Sequence, residues 1–152
     1  MNKHPSHTLI HRNLPMLLLR AREKLMAHFR PLLRVHGLSD QQWRIIRALH
    51  EFGPLESRLV SDICSLSTPS LAGILNRMQA LGLVHKERQE SDQRRVIVSL
   101  TDKSQALVEQ ISDDIETLYA GLEHRVGQDL LARLYQATDE LVERLDDMAP
   151  LS

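Results

Sequence analysis

The chain has 152 residues, 42% of them apolar and only 3% aromatic, with a formal net charge of −1. That is enough for one domain, or one compact domain with a helical extension, and so few aromatics suit a Leu-rich helical interior better than a β-sandwich. A single cysteine, Cys64, excludes an internal disulfide and a metal-binding cysteine pair, and no apolar run reaches the roughly 18 residues that suggest a membrane span.

Residues 1–12 read as an N-terminal arm, polar and carrying His4, His7 and His11, without the apolar core of a signal peptide. Asn13-Leu14-Pro15 starts a helix, with Asn13 as N-cap and Pro15 in the first turn, where its missing N–H is not needed. The helix runs to about Val35. Its stripe is Leu14, Leu18, Ala21, Leu25, Phe29 and Leu32 or Leu33. Met16, Leu17 and Leu19 widen that stripe, as a second subunit would require. Pro31 should bend the helix near its end.

His36-Gly37 stops the first helix, and Ser39 with Gln42 forms a capping box for the second. The apolar face of the second helix is expected at Trp43, Ile46 and Leu49 or His50. Gly53-Pro54 ends it. Leu55 to Cys64 reads as a third helix with Leu59, Val60 and Ile63 inward. Ser67 or Thr68 caps a fourth, whose Leu71, Ile74, Leu75 and Met78 form one apolar face. Its other side carries Ser67, Ser70, Gly73 and Arg77, small enough for the backbone to approach a groove wall. Leu81-Gly82-Leu83 closes it.

Val84–Gln89 and Val96–Leu100 read as a hairpin, joined by the turn-prone Glu90-Ser91-Asp92-Gln93. Thr101 caps a fifth helix with the stripe Leu107, Ile111, Ile115, Leu118 and Leu122. After Gly127 a sixth carries Leu131, Leu134, Thr138, Leu141, Leu145 and Met148. The fold class is therefore mainly α with a small β-hairpin: a winged helix-turn-helix over 37–101, with dimerisation helices at 13–36 and 102–148. A helix followed at once by a basic ribbon is a layout that reads DNA. The charge is polarised to match. Residues 1–101 hold 15 Lys and Arg against 8 Asp and Glu, whereas 102–152 hold 4 against 12.

The stretch Asp92-x-Arg94-x5-Leu100-Thr101, after Gly82-Leu83-Val84, resembles the signature of the MarR family of bacterial transcription regulators. The order of elements matches that family from about Leu14 to Met148. Arg20-Ala21-Arg22-Glu23, Phe29-Arg30-Pro31, Gln41-Gln42-Trp43-Arg44-Ile45 and Pro69-Ser70-Leu71-x-Gly73-Ile74-Leu75 resemble its HpaR-like subgroup, the homoprotocatechuate degradation operon regulators. The resemblance implies a dimeric operon repressor, released by a small aromatic or pyridine carboxylate such as a hydroxyphenylacetate or hydroxynicotinate.

On that reading double-stranded DNA with a pseudo-palindromic operator is one partner and a second copy of the chain another. Ser67, Thr68, Pro69, Ser70, Gly73 and Arg77 face the major groove. Arg94 enters the minor groove, where negative potential attracts a guanidinium. Arg88, Arg95 and Lys86 add phosphate contacts. Asp92 supports the wing rather than touching DNA, since its charge repels phosphate. The resemblance places an effector near the first and second helices, with Trp43 as a flat wall or simply as core. Arg20 or Arg22 would be the cation, and the two cannot both face inward because i and i+2 diverge. His7 or His11 from the arm would close the site.

Cys64 reads as a buried structural thiol, with a redox switch as the alternative. The histidines form no metal-ligand cluster, and no cofactor is expected. No phosphate-binding loop, H-E-x-x-H or nucleophile elbow is present, so an enzyme is not expected. A winged module that binds only protein is the remaining alternative. The expected location is the cytoplasm, on the bacterial nucleoid.

Overall fold

The computed structural model describes residues 9–148. Six helices and three short strands follow in the order α1 (Leu14–Val35), α2 (Asp40–Phe52), β1 (Leu55–Glu56), α3 (Ser57–Cys64), α4 (Thr68–Ala80), β2 (Val84–Arg88), β3 (Val96–Leu100), α5 (Asp102–Val126) and α6 (Gln128–Asp146). The starts of four helices are set by local chemistry. Asn13 Oδ1 accepts the Met16 N–H at 3.0 Å. Ser39 and Gln42 form the reciprocal capping box. Ser67 caps α4 and Thr101 caps α5.

β1 corrects the reading of Leu55–Cys64 as helix throughout. Leu55 pairs with Val98 and Glu56 with Ile97, so the sheet has three strands in the order β1-β3-β2, all antiparallel. β2 pairs with β3 from Val84↔Leu100 to Arg88↔Val96. The central β3 is therefore covered on both edges. Val98 is fully buried, but Ile97 and Ser99 are half-buried like Val96 and Leu100, which blurs the expected alternation.

The core joins Phe29 and Leu33 of α1, Ile45, Ile46 and Leu49 of α2, Leu71, Leu75 and Met78 of α4, and Val108, Ile111 and Ile115 of α5. Two expected faces are displaced. On α3 the buried residues are Val60 and Cys64, while Leu59 and Ile63 stay 47% and 45% exposed. On α2 Ile45 and Ala48 are buried beside Ile46 and Leu49, His50 is exposed and Trp43 is half-buried. α6 buries nothing fully in the single chain. No helix among the described residues is long and apolar enough to cross a membrane.

Candidate nucleic-acid interface and ligand cavity

The candidate DNA-reading face begins at the α4 N-terminus. Ser67 Oγ accepts the Ser70 N–H at 3.3 Å and its hydroxyl donates to Ser70 Oγ at 2.9 Å. Leu71, Leu75 and Met78 hold one side of α4 in the core. That turns Thr68, Pro69, Ser70, Gly73 and Arg77 outward together, all exposed. A Cβ on Gly73 would meet nothing within 4 Å, so this fold does not itself require glycine there. The open surface over Gly73 can take a close approach from outside.

The wing is a shaped tip. The Gln89 N–H donates to Arg95 O at 3.0 Å, the Asp92 N–H to Gln89 O at 3.2 Å and the Arg95 N–H to Asp92 O at 3.0 Å. Asp92 Oδ1 accepts the Arg94 backbone N–H at 3.0 Å. Asp92 thus holds the loop, an Asx-type contact, and leaves the Arg94 guanidinium alone. The three basic neighbours differ. Arg88 Nη1 donates across the hairpin to Gln93 O at 2.9 Å. Arg95 pairs with Glu56 of β1. Lys86 donates to Asn76 Oδ1 at 2.5 Å. Arg94 is exposed, and its guanidinium makes no hydrogen bond among the described residues.

Beneath the reading unit a cavity of about 640 Å³ opens between α1, α2, the end of α3, α5 and α6. Trp43, Phe29 and Tyr119 supply aromatic wall, and the Phe29 and Tyr119 rings pack tilted at 5.1 Å between centroids. Three arginines line it: Arg22, Arg44 and Arg47. They are not equivalent. Arg22 Nη2 donates to both oxygens of Asp40, at 3.0 and 3.1 Å, and its Nη1 to Glu23. Arg44 Nη1 donates to the Cys64 carbonyl at 2.6 Å. The Arg47 guanidinium makes no hydrogen bond or ion pair among the described residues.

Asp40 is the hub of these charges. Burial works against its ionisation, but the Arg22 hydrogen bond and charge, the Arg44 charge and the Arg30 hydrogen bond outweigh it, so its carboxyl sits below the ordinary value of 3.8. Burial raises the Tyr119 phenol, against a smaller opposing pull from Arg47. Burial also pushes the Cys64 thiol above 9.0, with Arg44 opposing. A buried, protonated thiol is a poor nucleophile.

Of the expected pocket residues, Trp43 and Arg22 line the cavity; Arg20 and His11 are exposed and do not, and His7 lies outside the described residues. Sequence reasoning passed over Asp40, Arg44, Arg47 and Tyr119. A signal for three of the wall residues was present: Asp40, Trp43 and Arg47 stand at i, i+3 and i+7 on one helix, one face of α2.

A helix with an exposed small-residue face beside an arginine-tipped hairpin, set over a cavity between helices, is the layout of a winged helix-turn-helix regulator. Residues 36–95 match the family model described as MarR family. The chain is 38% identical over 138 residues to the HTH-type transcriptional regulator FarR of Neisseria gonorrhoeae, covering 86% of this chain and 94% of that one. It is 35% identical to the homoprotocatechuate degradative operon repressor of Escherichia coli, covering 88% and 90%. The crystal structure of NadR in complex with 4-hydroxyphenylacetate superposes with a TM-score of 0.77 at 35% identity, over 93% of this chain and 97% of that chain. The protein belongs to the MarR family, as an HpaR-like transcriptional regulator rather than an enzyme.

Proposed function

We propose that the protein is a dimeric repressor of an aromatic-compound catabolic operon, released when a small aromatic or pyridine carboxylate enters the 640 Å³ cavity. The observation that carries this reading is the lining. Flat apolar wall from Trp43 and Tyr119 stands beside Arg47, a cation with no partner among the described residues. Such a volume suits a single-ring acid, and a guanidinium suits its carboxylate. Similarity to an operon repressor named for homoprotocatechuate degradation supports the substrate class.

Residues 13–36 and 102–148 form the dimerisation part in this reading, and 37–101 the DNA-binding part. Leu14, Met16, Leu17, Leu18 and Leu19 of α1 and Leu130, Leu134, Val142 and Leu145 of α6 are all at least 40% exposed in the single chain. A second copy would cover them. Two copies would present two α4 helices and two Arg94 side chains to an inverted repeat. A bound acid would favour a dimer with wrongly spaced reading helices and draw population from the DNA-competent form. The buried thiol of Cys64 counts against an oxidant sensor.

The test is a gel-shift titration on DNA upstream of the gene, with salicylate, 4-hydroxyphenylacetate and 6-hydroxynicotinate added in turn. Release by one of these acids supports the reading. Tight, salt-sensitive binding that no member of a broad aromatic acid panel relieves would remove the effector half of it.

A further inference from the structure

Arg44 stands between the cavity and the reading helix. Its Nη1 donates to the Cys64 carbonyl at 2.6 Å, and the Cys64 thiol donates back to the Arg44 carbonyl at 3.6 Å. The two residues thus tie the middle of α2 to the last residue of α3. The next residue, Ser65, has φ 51°, the one left-handed non-glycine conformation among the described residues. The turn is closed by the Leu66 N–H donating to Ser61 O at 3.0 Å and by the Ser61 hydroxyl donating to Leu66 O. Ser67, which follows, caps α4. Only Ser65 and Leu66 separate the residue Arg44 holds from the cap of the reading helix.

Arg44, Cys64 and Ser65 also line the cavity. The guanidinium is not fully used. Its Nε is buried with no hydrogen-bond partner, and its Nη2 lies 3.7 Å from Asp40 Oδ1, an ion pair beyond hydrogen-bond length. A buried donor without an acceptor is unfavourable, and a rotation of the side chain that brings Nε–H to the cavity would let an anion satisfy it. Carboxylates are best met by two parallel N–H groups of one guanidinium. Offering Nε–H and the adjacent Nη2 to a carboxylate requires the guanidinium to turn that buried edge into the cavity, and such a turn would pull Nη1 from the Cys64 carbonyl.

We propose that Arg44 is the positioning residue that couples the cavity to the reading helix: unliganded, it pins the α3–α4 turn through the Cys64 carbonyl, and a carboxylate in the cavity draws it off that carbonyl and lets the turn loosen. This rests on the reading of the cavity as an acid site. It assigns the coupling to Arg44, whereas Arg47 supplies affinity. By reciprocity DNA must weaken acid binding by the same factor as acid weakens DNA binding, and on this proposal losing the tie reduces that factor.

Cys64 is the only cysteine and is buried, so the rate at which a thiol reagent labels it reports on this turn. The experiment uses the full chain and measures four things: Cys64 labelling, labelling against low urea, affinity for DNA upstream of the gene, and thermal shift with benzoate, salicylate and 4-hydroxyphenylacetate. Arg44→Met should label about tenfold faster or more and bind DNA about tenfold more weakly, the scale of one lost charge-assisted hydrogen bond. The acceleration should be nearly independent of urea, as for a local opening. Arg44→Lys keeps a donor for the carbonyl but has no Nε, so it should label slowly, bind DNA and respond weakly to acid. In the wild type a bound acid should speed labelling.

Wild-type labelling and DNA affinity in Arg44→Met would overturn the proposal. So would an acceleration that rises with urea as global unfolding does, because that is a merely structural role. An acid that shifts the melting point without altering Cys64 labelling overturns the coupling alone. If no acid binds, the effector reading fails, and the ligand-free comparison of Arg44→Met with wild type still decides whether the turn is pinned.

Discussion

Adjacent wing arginines should behave differently on DNA, because the fold has already paired one of them. Arg94 projects from the tip with no partner for its guanidinium among the described residues, whereas Arg95 is paired with Glu56. Each cation placed against phosphate releases counterions, and the logarithm of affinity falls with the logarithm of salt by about 0.9 per contact. The proposed dimer presents two copies of Arg94 to DNA, so Arg94→Ala should flatten the slope by about 1.8. Between 50 and 200 mM salt that corresponds to a wild-type advantage shrinking by about twelvefold. Arg95→Ala removes a charge that Glu56 already offsets. It should change the slope by less than half as much, and cost under about 1 kcal/mol of stability because the pair is half-exposed. Fluorescence anisotropy on one operator fragment at four salt concentrations measures both slopes. Equal slopes for the two variants would refute the argument, since they would show that the Glu56 pair opens at no cost on DNA. An unchanged slope for Arg94→Ala would remove the wing tip from the interface.

Three further outcomes follow from the geometry. Arg47→Ala should raise the acid concentration needed to release DNA by about tenfold or more, the loss of one charged contact, while leaving unliganded DNA affinity near wild type; gel shifts with and without acid separate the two. Asp40 binds its proton less readily folded than unfolded, so its contribution to stability is complete above about pH 3.8 and is lost as the pH falls through the depressed folded value. Urea melts from pH 7 down to 3 should show a shallower acid limb in Asp40→Asn. Ser104 is fully buried, and its hydroxyl accepts the Thr101 N–H and donates to the Thr101 carbonyl, each at 3.0 Å. Ser104→Ala should cost about 1–2 kcal/mol in urea unfolding, because the Thr101 N–H then lacks its best acceptor.

Much of the fold could be read from residues whose local chemistry admits one answer. Asn13, Ser39 with Gln42 and Thr101 each start a helix where the capping chemistry says it should start, and of the two candidates Ser67 and Thr68 it is Ser67 that caps α4. The failures occur where two local answers are equally good. In α3, Val60 with Cys64 and Leu59 with Ile63 are both apolar pairs at i, i+4, and nothing in the segment says which faces inward. Contact with α2 chose Val60 and Cys64. β1 is only two residues long, too short to show a period of two. It exists because β3 has a second open edge, a partner 41 residues away from Glu56 at Ile97.

The cavity was legible in its wall and not in its charge. Sequence alone leaves Trp43 between core packing and a pocket wall suggested by the family resemblance, and it lines the cavity. The cation could not be chosen by type. The chain has arginines at 20, 22, 30, 44 and 47, and which of them can meet a ligand depends on where Asp40 spends its own charge. Asp40 takes Arg22 at 3.0 Å, Arg30 at 3.4 Å and Arg44 at 3.7 Å. Read alone it is an acid in the first turn of α2, a helix-dipole residue. Folded, it pairs with Arg22 and Arg30, leaves Arg44 divided between Asp40 and the turn before α4, and leaves Arg47 as the lining cation with no ion pair among the described residues. On the proposed reading one carboxylate sorts the arginines into structural, coupling and ligand-facing roles, and that sorting lies in distances between helices that no single helix's sequence contains.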